Sequence, residues 1–148
     1  MKYDKPTLAI LMGALSTIPH EIITRVLATF GFAKYSVYQL TSFMITLDRP
    51  NVLLGALCSI ILGGVISLIF YYALKLLDFD YLMIKSIGFS LFNWLMLEVI
   101  FMWLIEGRGL IPHRPINDYY SEMFGTIAFG ISLGLLFRNY LFKDYKKI

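Results

Sequence analysis

Charge is scarce in this sequence, and cysteine, histidine and tryptophan are scarcer. Of its 148 residues, 16% are charged and 58% are hydrophobic, against about 25% and about 45–50% in an average soluble domain. Cys58 is the single cysteine and sits in an apolar run. That excludes an internal disulfide and a CxxC site, and Cys58 reads as a small packing residue. The two histidines, His20 and His113, have no second histidine at helical ligand spacing. The Glu-x-x-His repeat of di-iron bundles and the His-Glu-x-x-His zinc motif are therefore absent. No phosphate loop or dinucleotide fingerprint is present; Gly107-Arg108-Gly109 is a flexible turn.

The formal charge of +3 and pI near 9.0 raise the question of nucleic acid. The basic residues cluster at the ends of apolar segments, an arrangement that orients a membrane protein and makes no duplex-binding stripe. At the N-terminus, Lys2 and Lys5 precede the apolar stretch Thr7–Ile18, which has the length of a signal-peptide core. Pro19 and the resumed apolar positions Ile22, Ile23, Val26 and Leu27 argue against cleavage.

Four segments reach the roughly 20 apolar residues that a helix needs to cross a bilayer. They run from about 6 to 30, 51 to 77, 81 to 105 and 119 to 142. Backbone groups in lipid must be satisfied internally, so the expectation is an all-α, polytopic four-helix bundle forming one domain over residues 1–148. With the N-terminus inside, Lys2, Lys5, Lys75, Lys85, Arg138, Lys143, Lys146 and Lys147 face the cytoplasm, and Lys34, Arg49, Arg108 and Arg114 face out. Eight against four places both termini in the cytoplasm. Between the first two spans, Tyr35, Val37, Tyr38, Leu40, Phe43 and Met44 alternate with polar residues. A short amphipathic helix along the interface is expected there, with an ordered loop as its rival. Pro112 and Pro115 make "EGRGLIPHRPIND" an irregular loop between the last two spans.

Lipid offers little hydrophobic drive for helix association, so small residues that permit close approach matter. Gly55, Ser59, Gly63 and Ser67 form one such row, Thr126, Gly130 and Gly134 another, and Ala9, Gly13 and Thr17 a third. Each could pack within the chain or between copies in a homo-oligomer. Trp94 and Trp103 suit lipid contact or packing, with an aromatic ligand pocket as the sharper alternative.

The unusual stretch is "STIPHEIITRVL" (Ser16 to Leu27). Measured from Pro6 at 1.5 Å per residue, His20 lies about 21 Å along its helix, and Glu98 lies about 25 Å along the third span. Both fall in the outer half of a core about 30 Å thick. A charge isolated there costs at least ~2.5–3.5 kcal/mol, so these groups should point inward and pair. His20, Glu21, Arg25 and Glu98 are expected to form an intramembrane polar site, extended inward by Asn93. Arg25 has the spacing to meet Glu21 and the reach to meet Glu98. Pro19 frees the carbonyl of Leu15 in the same layer. Glu106, Arg108, His113, Arg114, Asp118 and Glu122 form a vestibule above it or a salt-bridged lid.

Three classes of function fit. His20, Glu21, Glu98, His113 and Glu122 could ligate a metal, although no motif spacing supports it and no cofactor is expected. Ser16, Thr17 and Ser121 lie at the depth of the histidines but belong to no nucleophile motif. Intramembrane Glu and His beside a proline also suit a protein handling a small solute, ion or proton. Finally, the polar cluster could be a clasp that fixes helix packing in a structural or accessory protein. The segments "GGVISLIFYYALK" (Gly63–Lys75), "KSIGF" (Lys85–Phe89) with Trp94, and "IND" (Ile116–Asp118) resemble small four-helix bacterial integral membrane proteins of the YqhR type. That resemblance implies a bacterial cytoplasmic membrane and supplies no catalytic residue.

Overall fold

A computed structural model describes residues 4–143. Lys2, Lys146 and Lys147 of the charge count lie outside them. Five helices follow one another: α1 (Lys5–Thr29), α2 (Val37–Thr46), α3 (Val52–Leu77), α4 (Leu82–Phe101) and α5 (Ile116–Leu136). One π-helical turn, Met102–Glu106, extends α4, and another, Phe137–Leu141, extends α5. With these extensions, α1, α3, α4 and α5 are each long and apolar enough to cross a membrane. No strand occurs among the described residues.

Local chemistry sets the helix ends. Pro6 stands in the first turn of α1, where its missing N–H is no loss. Past the other end of α1, Gly31 takes φ +76° and the Phe32 N–H bonds the Leu27 carbonyl at 2.9 Å, a Schellman closure. Asn51 caps α3 by accepting from the Leu54 N–H at 3.1 Å. Lys85 Nζ bonds the Leu77 and Asp78 carbonyls, at 2.6 and 3.1 Å, across the short connection into α4. The loop before α5 is shorter than expected: Pro115 forms the N-cap, and Ile116, Asn117 and Asp118 are already helical. The fixed φ of Pro115 and an acidic residue in the first turn both favour an early start.

α1 lies between α3 and α5, α4 packs chiefly on α5, and α3 and α4 touch little. The small residues explain these pairings. A Cβ on Gly13 would collide with the Gly63 carbonyl, and Ser67 Oγ donates to the Ala9 carbonyl at 2.5 Å. Gly55 lies against the backbone of Tyr38, and the Ser59 and Thr41 hydroxyls are 2.8 Å apart, so one row on α3 serves both α1 and α2. On α5, Gly130 meets Ile87 and Gly134 meets Ser86. All these close approaches lie within one chain. The larger apolar core, with Phe70, Leu74, Leu133 and Phe137, fills the end where α1 begins and α3 ends. Leu40, Phe43, Ile105 and Ile111 form a smaller one beneath α2 at the opposite end.

Candidate functional site

The polar residues of the α2 end fall into three groups. In the first, Glu21 on α1 is buried and pairs with Arg25, whose Nε donates to it at 2.6 Å. The other Glu21 oxygen accepts from the Tyr38 N–H at 3.0 Å, and Thr24 Oγ1 accepts from the Val37 N–H at 3.0 Å. These donors belong to the first turn of α2, whose N–H groups have no partner within the helix, so a carboxylate and a hydroxyl on α1 cap a separate helix. Arg25 does not reach Glu98; its Nη2 points to Ser36 Oγ at 3.4 Å.

The second group centres on Arg114, whose side chain is 1% exposed. Its guanidinium lies between the rings of Phe101 and Tyr119, 4.7 and 4.6 Å from their centroids. Nη2 donates to Glu98 at 2.5 Å and Nη1 at 3.3 Å, a forked pairing, while Nε donates to Glu106. Tyr119 completes Glu106 with a hydroxyl donation at 3.1 Å. Burial alone would lower the Arg114 pKa. The hydrogen bonds and charges of Glu98 and Glu106 outweigh that and raise it above its ordinary value, so Arg114 stays charged.

The π turn makes this arrangement possible. In a regular helix, eight residues separate Glu98 and Glu106 by about 80° at 100° per residue. One inserted residue leaves the rotation of a heptad, about 20° from alignment, and both carboxylates then face Arg114.

The third group faces a cavity of about 120 Å³. It is lined by residues of all five helices and by Arg114 of the connection into α5. The lining is mostly apolar, including Leu62, Ile66, Leu97 and Phe129. His20, Glu98, Arg114, Glu122 and Thr126 supply its polar floor. His20 Nε2 lies 3.5 Å from Glu122 Oε2, wider than a hydrogen bond. Glu122 Oε1, Thr126 Oγ1 and Trp94 Nε1 are buried without a hydrogen-bond partner.

The expected quartet is therefore divided. His20 and Glu98 share the cavity, whereas Glu21 and Arg25 serve α2 and do not line it. α1 and α4 do not pack face to face, because α5 stands between them. Asn93 turns away and donates to the Phe89 carbonyl at 2.8 Å. The vestibule is also redistributed. Arg114, Glu106 and Glu122 are buried, Arg108 is exposed, and His113 is 86% exposed at 3.9 Å from Glu106. Asp118 is buried and accepts from the Lys34 N–H at 2.5 Å, tying the α1–α2 connection to α5. The set His20, Glu21, Glu98, His113 and Glu122 is not gathered, and no group of three or more possible metal ligands occurs among the described residues. Ser16 and Thr17 donate to carbonyls of their own helix, Met12 and Ala14. Trp103 is 80% exposed, while Trp94 lines the cavity.

Sequence reasoning gave Arg114 only a vestibule role and passed over Thr24, Phe101 and Tyr119. Phe101 between Glu98 and Glu106, and Tyr119 five residues after Arg114, were the available signal for a buried guanidinium. Comparison with protein-family models, curated proteins and solved structures finds no match. The architecture defines an all-helical chain with four helices of membrane-spanning length.

Proposed function

We propose that this chain is a multi-pass protein of the cell membrane, with both termini cytoplasmic, that binds a small and largely apolar molecule taken from the bilayer. The carrying observation is the cavity between α3 and α4, whose lining is mostly apolar, with hydroxyls of Thr17, Thr41 and Ser59 on its walls and ionisable groups at its floor. The helices beside it touch little, so a solute dissolved in lipid can enter sideways without crossing the core. The lysine and arginine asymmetry orients α2 outward, along the interface, and puts the floor in the outer half of the membrane. The volume approaches that of an engineered apolar cavity of about 150 Å³ that binds benzene.

A second reading, the structural clasp, is favoured by the Glu21–Arg25 pair that caps α2 and by Arg114, which anchors the α4–α5 loop. The two readings share Arg114 and Glu98, which pair with each other and also line the cavity, and they divide the remaining residues. Glu21, Arg25, Glu106 and Asp118 hold the outer layer together; His20, Glu98 and Glu122 face the cavity.

Trp94 reports on the first reading in a Trp103→Phe chain reconstituted in lipid. Bromobenzene should quench its fluorescence saturably, and Ser59→Phe, which fills the cavity, should abolish the saturable part. Quenching that rises linearly and ignores Ser59→Phe would reduce the cavity to lipid contact.

A further inference from the structure

The cavity floor carries more acid than base. Arg114 is the one lysine or arginine lining it, and its nitrogens are engaged by Glu98 and Glu106. Glu122, with a side chain 6% exposed, keeps one oxygen without a hydrogen bond, and its nearest basic group is His20 at 3.5 Å. Asp118, one turn earlier on α5, is buried and adds a further carboxylate nearby. A buried carboxylate that faces only an imidazole, with one oxygen free of hydrogen bonds, is costly in an apolar site, and an entering cation lowers that cost. An entering anion would meet Glu98 and Glu122 with Arg114 already occupied. Trp94, Phe101 and Phe129 also line the cavity, and aromatic faces attract a desolvated cation.

We infer that the cavity selects lipophilic cations: an ammonium group on a body the size of one ring, with its charge against Glu122 and its body between α3 and α4. This rests on the cavity reading proposed above. The ammonium donates hydrogen bonds to Glu122 Oε1 and Thr126 Oγ1, two cavity-lining acceptors on α5 that lack hydrogen-bond partners. Residues four apart on a helix share a face, so one headgroup can reach both. The apolar body replaces lipid contact at Leu62, Ile66 and Leu97.

Three probes share a phenyl body and differ in charge: benzylamine, cationic at neutral pH, benzyl alcohol and benzoate. Each competes with bromobenzene for Trp94 in the reconstituted full chain carrying Trp103→Phe. Benzylammonium should displace it at least tenfold better than benzyl alcohol, and benzoate worst. Glu122→Gln should erase the advantage of the ammonium while benzyl alcohol still competes, and Glu122→Asp should retain it. If benzyl alcohol matches benzylammonium, or the advantage survives Glu122→Gln, charge selection by Glu122 is wrong and the cavity stands. If bromobenzene quenching does not saturate, the cavity reading fails and takes this inference with it.

Discussion

Replacing Arg114 by methionine is the sharpest perturbation of the polar layer at the α2 end. The substitution keeps much of the apolar stem between Phe101 and Tyr119 but removes the charge that Glu98 and Glu106 share. Removing one partner of a buried pair costs about 3–5 kcal/mol, because the remaining charge is left uncompensated. On a chain of this size each kcal/mol moves the melting midpoint by roughly 2–4 °C, so a fall on the order of 10 °C is expected. Thermal unfolding in detergent micelles measures it for Arg114→Met, for Glu98→Gln with Glu106→Gln, and for the triple variant. The triple variant should recover most of the loss, since no unpaired charge remains. An Arg114→Met chain within ~1 kcal/mol of the parent, or a triple variant whose losses simply add, would refute the reasoning. The pH dependence has a definite sign. A cation whose folded pKa is raised stabilises below its unfolded pKa and loses that contribution only as pH rises through the folded value. For Arg114 both lie beyond mildly alkaline solution, so its contribution should not decline between neutral and mildly alkaline pH.

Other expectations concern separate parts of the fold. Thr24→Val removes an acceptor from the first turn of α2 and should cost about 0.5–2 kcal/mol, as loss of a cap does. Hydrogen exchange at Val37 should speed up while exchange in α3 stays unchanged; equal acceleration in both would contradict a local cap. Gly55→Ala places a methyl into the Tyr38 backbone and should cost at least about 1–3 kcal/mol, whereas Gly88→Ala, with open space around it, should be tolerated. Similar melting of the two variants would sink the α2–α3 contact. For topology, a Cys58→Ser chain carrying Lys34→Cys should react with an impermeant thiol reagent added outside intact cells, and one carrying Asp80→Cys should not; the opposite pattern would reverse the orientation.

Much of the bundle was legible because it rests on length, hydropathy and small residues. The α3 row of Gly55, Ser59, Gly63 and Ser67 stands at a spacing that any helix converts into a single face, and that face is packed. Partner choice among the charges was not legible. Depth along a helix put His20 and Glu98 at one level but could not show that α5 separates α1 from α4. It could not show that Arg114 folds inward from a loop, because a loop residue has no period to read. Nor could spacing foresee the π turn at Met102–Glu106, which changes the rotation between Glu98 and Glu106. Glu21 and Arg25 met as their spacing required, yet their work is to cap α2, a helix whose N-terminus is brought to them by the Gly31 turn.

On the proposed function, Glu122 stands in a cavity reachable from the bilayer while Glu106 is locked behind Arg114 and Tyr119. A small membrane-soluble carbodiimide, diisopropylcarbodiimide, adds to carboxyl groups it can reach from lipid, and peptide mass spectrometry locates the adducts. Modification is expected at Glu122, slowed by bromobenzene held in the cavity, with Glu106 spared. Modification of Glu106 with Glu122 untouched would contradict it.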